Sequence, residues 1–149
     1  MQSDYRAEYG SFPDCKQIRC ATANDPGIIE LARTVKPAVI AVSGTDLLKK
    51  KQVEVLTSIA PVLNLHTGLS PYIKGAPNCT NWCFYLARPD LIGNTVMVID
   101  PGVDTGDIVA TEVTQYPAGA SLAVIHRKVM DSAHDIYVGA LRKIAEGHV

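Results

Sequence analysis

The sequence predicts an α/β domain, a mostly parallel, doubly wound (Rossmann-like) sheet flanked by helices, with one antiparallel hairpin strand. Three observations predict it. Short apolar runs at 38–42, 62–66 and 95–99 have the length of buried strands. Segments with helical spacing separate or follow them, the longest carrying Leu122, Ile125, Val129, Ile136, Ala140 and Ile144. The 108–113 run alternates apolar and polar directly after a PGVDTG turn, as a strand returning beside its predecessor would.

Taken in order, the first sixteen residues show no sustained period and form a poorly specified start, and 17–22 reads as a short strand. Asn24 or Asp25 caps a helix with Pro26 at its first position; Ile28, Ile29, Leu31 and Ala32 form its apolar face, and Lys36-Pro37 ends it. Residues 38–42 follow as a buried strand. Ser43-Gly44-Thr45 turns the chain into a short helical stretch with Leu47 and Leu48, and a second helical segment covers 53–59. The lysines at 49–51 fit a solvated face. After the 62–66 strand comes a loop rich in glycine, proline and threonine through Pro77, then a helix over 81–87. The long helix after Pro117-Ala118-Gly119 stops at Gly147.

Composition narrows the function classes. With 149 residues, 47% hydrophobic and 19% charged, the chain fits a single domain over 1–149 with a core of its own. Fourteen basic against fifteen acidic side chains leave a net charge of -1, which removes a general electrostatic case for nucleic acid and favours a small ligand. No apolar run approaches the roughly 20 residues that span a bilayer, and the opening lacks an apolar signal stretch, so a cytoplasmic protein with no membrane partner is expected. Cys15, Cys20, Cys79 and Cys83 form C-x4-C and C-x3-C pairs. Zinc ligands prefer tighter knuckles, so reduced, packed thiols and no metal are the better reading. His126, His134 and His148 lack ligand spacing and fit surface positions.

In layered α/β sheets ligands bind beyond the carboxyl ends of strands. The period of two in Val62-Leu63-Asn64-Leu65-His66 sends Asn64 and His66 to one face and Leu63 and Leu65 to the other. At a second strand end, Asp100-Pro101-Gly102-Val103-Asp104-Thr105-Gly106 sets Asp104 between two glycines that allow a close turn. An amide, an imidazole and a carboxylate suit acyl transfer to an amine with no covalent intermediate. Asn64 and a protonated His66 would donate to the oxyanion of a tetrahedral intermediate. Asp104 would hold His66 charged and receive the proton that the amine loses, directly or through water. Each residue also has an ordinary reading: a loop-satisfying Asn64, a strand-end His66, an Asx-turn at Asp104.

The stretch Asn64-Leu65-His66-Thr67-Gly68-Leu69-Ser70-Pro71-Tyr72-Ile73-Lys74-Gly75 resembles the N-x-H-x-S-x-L-P-x-[YW]-[RK]-G segment of the folate-dependent formyltransferases. Gly102-Val103-Asp104-Thr105-Gly106-Asp107-Ile108 resembles their G-x-D-T-G-x-I loop, in the same order and at about the same spacing. The resemblance implies a Rossmann-like domain that transfers formyl from 10-formyltetrahydrofolate, with Asn64, His66 and Asp104 as the catalytic trio. It places the pterin near the turn at 42–48 and the loop before the aspartate, which makes Leu48, Ile99, Pro101 and Gly102 folate candidates. Three departures stand out. Gly68 occupies the position of the family's serine, with Thr67 beside it. Lys74 replaces the commoner arginine and keeps the charge without the bidentate fork. The polar start does not supply the family's strand, glycine loop and helix, a unit of roughly 30 residues that often helps hold the acceptor.

The chain ends soon after its long helix, so the second domain of tRNA-directed members is not expected, and a small amine such as an amino sugar nucleotide or a ribosylamine-type metabolite fits better than tRNA. Two rivals share the site: a hydrolase that releases formate from the folate, and a shortened, non-catalytic folate-binding domain whose incomplete sheet would cover its edge by self-association. Asp104-Thr105-Gly106 also spells the aspartic-protease signature, but that fold is all-β and has no use for an Asn-x-His strand.

Overall fold

A computed structural model describes residues 7, 10, 14–75 and 78–147. Most of the poorly specified start, Pro77 and His148 lie outside the described residues. The elements run α1 (Pro26–Val35), β1 (Ile40–Val42), α2 (Lys50–Thr57), β2 (Val62–His66), α3 (Cys79–Tyr85), a 3-10 turn (Pro89–Leu91), β3 (Gly93–Val98), β4 (Ile108–Val113) and α4 (Leu122–Ala145).

The four strands form one sheet in the order β1-β2-β3-β4. Only β1 and β2 are parallel; β2–β3 and β3–β4 are antiparallel. The sheet is therefore mixed, and the expectation of a mostly parallel one is corrected. The reason lies in the connections. The turn between Val98 and Ile108, closed by Val98 N donating to the Asp107 carbonyl at 2.9 Å, is too short for a helical crossover. Between β2 and β3 the chain stays at one end of the sheet, so that Thr95 pairs with His66.

Helices cover both faces. Leu63 and Leu65 of β2 pack with Val96 against Ala133, Tyr137 and Ala140 of α4. Val62 packs on the other face with Ala32 of α1 and Leu56 of α2. The period of two in β2 thus separates two cores, as its sequence predicts. Asp25, not Asn24, caps α1, its carboxylate accepting from Gly27 N at 2.8 Å.

Four local expectations are corrected. Residues 17–22 form no strand and are exposed throughout, and Thr22 at the end of that stretch bonds Asp46. The strand expected at 38–42 is the three-residue edge strand β1, with Ala41 exposed, because nothing among the described strands pairs on its outer side. No helix includes Leu47 or Leu48. The Asn24 side chain instead takes the Leu47 carbonyl (2.9 Å) and the Lys49 N–H (2.6 Å), and Asp46 accepts from Ala23 N (2.7 Å), so distant side chains satisfy backbone groups that a helix would have paired. The loop at 43–49 is thereby held open beside β2. Cys15 and Cys20 are exposed, so only Cys79 and Cys83 are packed thiols.

Gly106 shows how tightly the hairpin turn is built. A Cβ there would sit 1.7 Å from the Val98 carbonyl oxygen. Gly106→Ala should therefore lower stability by about 2–3 kcal/mol, read as a shift of the urea midpoint with unchanged slope; a shift under a few tenths would show that the turn yields freely.

Candidate active site

Asn64 and His66 project from the same face of β2, Asn64 half-buried and His66 only 6% exposed. Asp104 reaches them by an indirect route. Because β3 runs antiparallel, its carboxyl end lies beside the amino end of β2, with Val98 opposite Leu63 and Ile99 N bonded to the Val62 carbonyl at 2.8 Å. The two strand ends therefore do not meet. The trio assembles because the loop after β3 doubles back over the sheet face. Asp100 nucleates that loop as an Asx-turn, accepting from Gly102 N at 2.9 Å and Thr105 Oγ1 at 2.8 Å. Asp104 itself adopts the left-handed region, φ 49°, a conformation that aspartate tolerates better than most residues. Gly102 is needed for space, since a Cβ would meet Thr105 Oγ1 at 1.9 Å.

The Asp104 carboxylate is the hub. Oδ1 accepts from Asn64 Nδ2 at 3.2 Å; Oδ2 accepts from Gly75 N at 2.8 Å and lies 3.4 Å from His66 Nδ1, an ion-pair distance rather than a tight hydrogen bond. Two hydrogen bonds and the ion-pair contact use at most three of about four acceptor sites, so at least one lone pair is left over from these partners. His66 Nε2 lies 2.9 Å from the Ile73 carbonyl. Both ring nitrogens thus lie near oxygen atoms, Nδ1 at the Asp104 carboxylate and Nε2 at the Ile73 carbonyl.

A cavity of about 580 Å³ opens at the trio, within the range of small-molecule sites. Asn64, His66 and Asp104 line it together with Leu48, Ile99 and Gly102. Pro101 is exposed and does not line it. The loop at 43–48 forms part of its lining. His126 and His134 lie away from the site. His126 is half-buried and pairs with Asn81 Oδ1 at 2.9 Å, whereas His134 is exposed, so the surface assignment holds fully only for the second.

Three participants were not singled out by sequence: the Gly75 N–H, the Ile73 carbonyl and Cys79. Backbone groups carry no residue-type signal, although the motif itself contains both positions. Cys79 packs its sulfur 4.0 Å from His66 Nε2 and donates to the Gly75 carbonyl at 3.4 Å. Burial, then the charges of Asp104 and Cys83, push its thiol up to about 11. Such a thiol favours the folded state while neutral, so its contribution is present below the ordinary value of 9.0 and is lost as pH rises through about 11. Iodoacetamide at pH 8 should therefore modify Cys15 and Cys20 and spare Cys79 and Cys83, as read by peptide mass spectrometry; rapid labelling of Cys79 would contradict its packing.

The site can be compared with known proteins. The formyl transferase family model matches residues 9–141. The methionyl-tRNA formyltransferase of Syntrophus aciditrophicus is 28% identical over 124 residues, 83% of this chain and 38% of that protein, and that of Clostridium novyi is 28% identical over 125 residues, 84% and 40%. The chain spans about two fifths of the length of these relatives. Among solved structures, phosphoribosylglycinamide formyltransferase from Anaplasma phagocytophilum superposes with a TM-score of 0.71 at 20% identity, over 81% of this chain and 56% of that one. The formyltransferase PseJ from Anoxybacillus kamchatkensis, solved with UDP-4,6-dideoxy-4-formamido-L-AltNAc and tetrahydrofolate, superposes with a TM-score of 0.64 at 23% identity, over 91% and 64%. These two establish the likeness of fold, and the family model, matched across most of the chain, establishes descent. The chain belongs to the folate-dependent formyl transferase family.

Proposed function

We propose that this chain carries the formyl-transfer site of an enzyme that moves a formyl group from 10-formyltetrahydrofolate to a small-molecule amine, with Asn64, His66 and Asp104 as its catalytic residues. The observation that carries the reading is the meeting of an amide, an imidazole and a carboxylate at one cleft of about 580 Å³. The cleft suits a folate. Its lining combines apolar residues such as Leu48 and Ile99 with Gly102, the 43–47 turn and the polar trio. Pro101 would act by shaping the turn rather than by contact. The PseJ structure, which holds tetrahydrofolate, lends support from the same fold.

The donor supplies an activated formyl group; the protein supplies position and charge. Asn64 Nδ2 and His66 would donate to the formyl oxygen as negative charge develops there. In the free site these donors face Asp104 and the Ile73 carbonyl, so substrate must compete for them. Asp104 keeps both donors in place, and its remaining lone pair would take the proton lost by the amine, through water, for return to the folate nitrogen that leaves. The near-neutral net charge favours a small amine over a polyanionic acceptor. An assay of folate turnover with and without candidate amines tests this. Amine-dependent formylation supports it, whereas formate release that no amine alters would make the protein a hydrolase.

A further inference from the structure

Gly68 lies next to His66 in space as well as near it in sequence. A Cβ on Gly68 would stand 2.6 Å from His66 Nε2, 3.0 Å from Ile73 Cγ2 and 3.2 Å from the Ile73 carbonyl oxygen. The need is for room and not for an unusual backbone, since Gly68 is not among the glycines with positive φ.

The surroundings cannot give way easily. Thr95, fully buried, donates its hydroxyl to the Gly68 carbonyl at 2.7 Å and accepts from Ser70 N at 3.0 Å, which pins the glycine from both sides to the centre of β3. The Ile73 carbonyl that receives Nε2 is held in turn, because Tyr72 N and Ile73 N both bond the Leu69 carbonyl, at 2.9 and 2.8 Å. Cys79 Sγ packs 4.0 Å from the same Nε2. The imidazole is the piece that a side chain at 68 would displace.

We propose that Gly68 is a positioning residue for His66: the missing side chain lets the imidazole seat between Asp104 and the Ile73 carbonyl, with both ring nitrogens near these partners, and Thr95 keeps that seat at its width. The chemistry of this role rests on the formyl-transfer reading, but the seat itself can be tested without turnover. It also gives a physical account of the departure at the position where the family motif carries serine. Here the space of a side chain is filled by the contact between ring and carbonyl.

Histidine labelled with nitrogen-15 reports the seat directly, because an imidazole N–H buried against a carbonyl exchanges slowly and gives a resolved downfield proton. The wild-type chain should show such a proton on His66 Nε2, and Gly68→Ala should lose it or move it. Retention at an unchanged shift in Gly68→Ala overturns the proposal. Thr95→Val keeps the glycine and removes the hydroxyl that holds the Gly68 carbonyl and Ser70 N, so it tests the same seat if the alanine variant folds poorly. Exchange of the proton should then quicken by about tenfold or more, and unchanged exchange overturns the role of Thr95. In an active enzyme, Gly68→Ala should lower kcat by about tenfold or more with KM for donor and amine within about twofold, as expected when a group acting in the transition state is misplaced. A lower melting temperature with unchanged kcat would make Gly68 merely structural. Absence of turnover in the wild type would sink the formyl-transfer reading and leave the resonance test of the seat standing.

Discussion

Asp104→Asn is expected to reduce formyl transfer by about a thousandfold or more while leaving the fold intact. The substitution preserves size but removes the charge at the hub of the site. Its amide oxygen would settle where Oδ2 now receives Gly75 N and lies beside His66 Nδ1, because two donors converge there. The amide nitrogen would then face Asn64, which can rotate to present its own oxygen. The network re-forms, so the melting temperature should change by only a few degrees. Chemistry should not recover. Asn64 now points its donor away from the formyl oxygen, His66 loses the carboxylate beside its Nδ1, and no acceptor remains for the amine's proton. Steady-state rates alongside thermal melts check this, and near wild-type turnover in a folded variant would refute the hub role.

His66→Ala should cost on the order of a hundredfold or more in kcat, the scale of losing one oxyanion donor. It differs from the first in leaving a buried void. The ring is only 6% exposed and sits among the Ile73 carbonyl, Cys79 and Gly68, so a stability loss of about 1–3 kcal/mol should accompany it. Calorimetry with a folate analogue separates the two effects. Affinity within a few-fold of wild type, together with the loss of kcat, would place His66 in the chemical step. A collapse of affinity with unchanged kcat would make the residue a part of the folate pocket instead.

The parts of the fold that sequence makes legible are those written in local period and composition. Strand β2 falls where the alternation of Val62–His66 puts it, and α4 over Leu122–Ala145 follows from its spaced apolar residues and ends at a left-handed Gly147. The hairpin of β3 and β4 is readable because a short turn with glycines separates two strand-like runs. Illegible features depend on partners far along the chain. Leu47 and Leu48 have helical propensity, but Asn24 and Asp46 draw that stretch into a loop through contacts more than twenty residues away. The sense of β3 is illegible for a related reason. An apolar run reads the same in a parallel or an antiparallel pair, and only the path of the chain around the end of the sheet decides.

The candidate site divides along the same line. Its residue types, and the placing of Asn64 and His66 on one face of β2, follow from the sequence alone, because a strand's period of two admits no other arrangement. Asp104 belongs to a second strand end, which lies away from the carboxyl end of β2; a loop doubling back, with Asp104 in the left-handed region, brings the carboxylate across. Only tertiary structure assigns the backbone partners, Gly75 N to Asp104 and the Ile73 carbonyl to His66, and only there does Gly68 become the space in which the imidazole rests. Local pattern selects which side chains share a face, while the partner each atom finds is settled by whichever segments the packed core brings within about 3 Å.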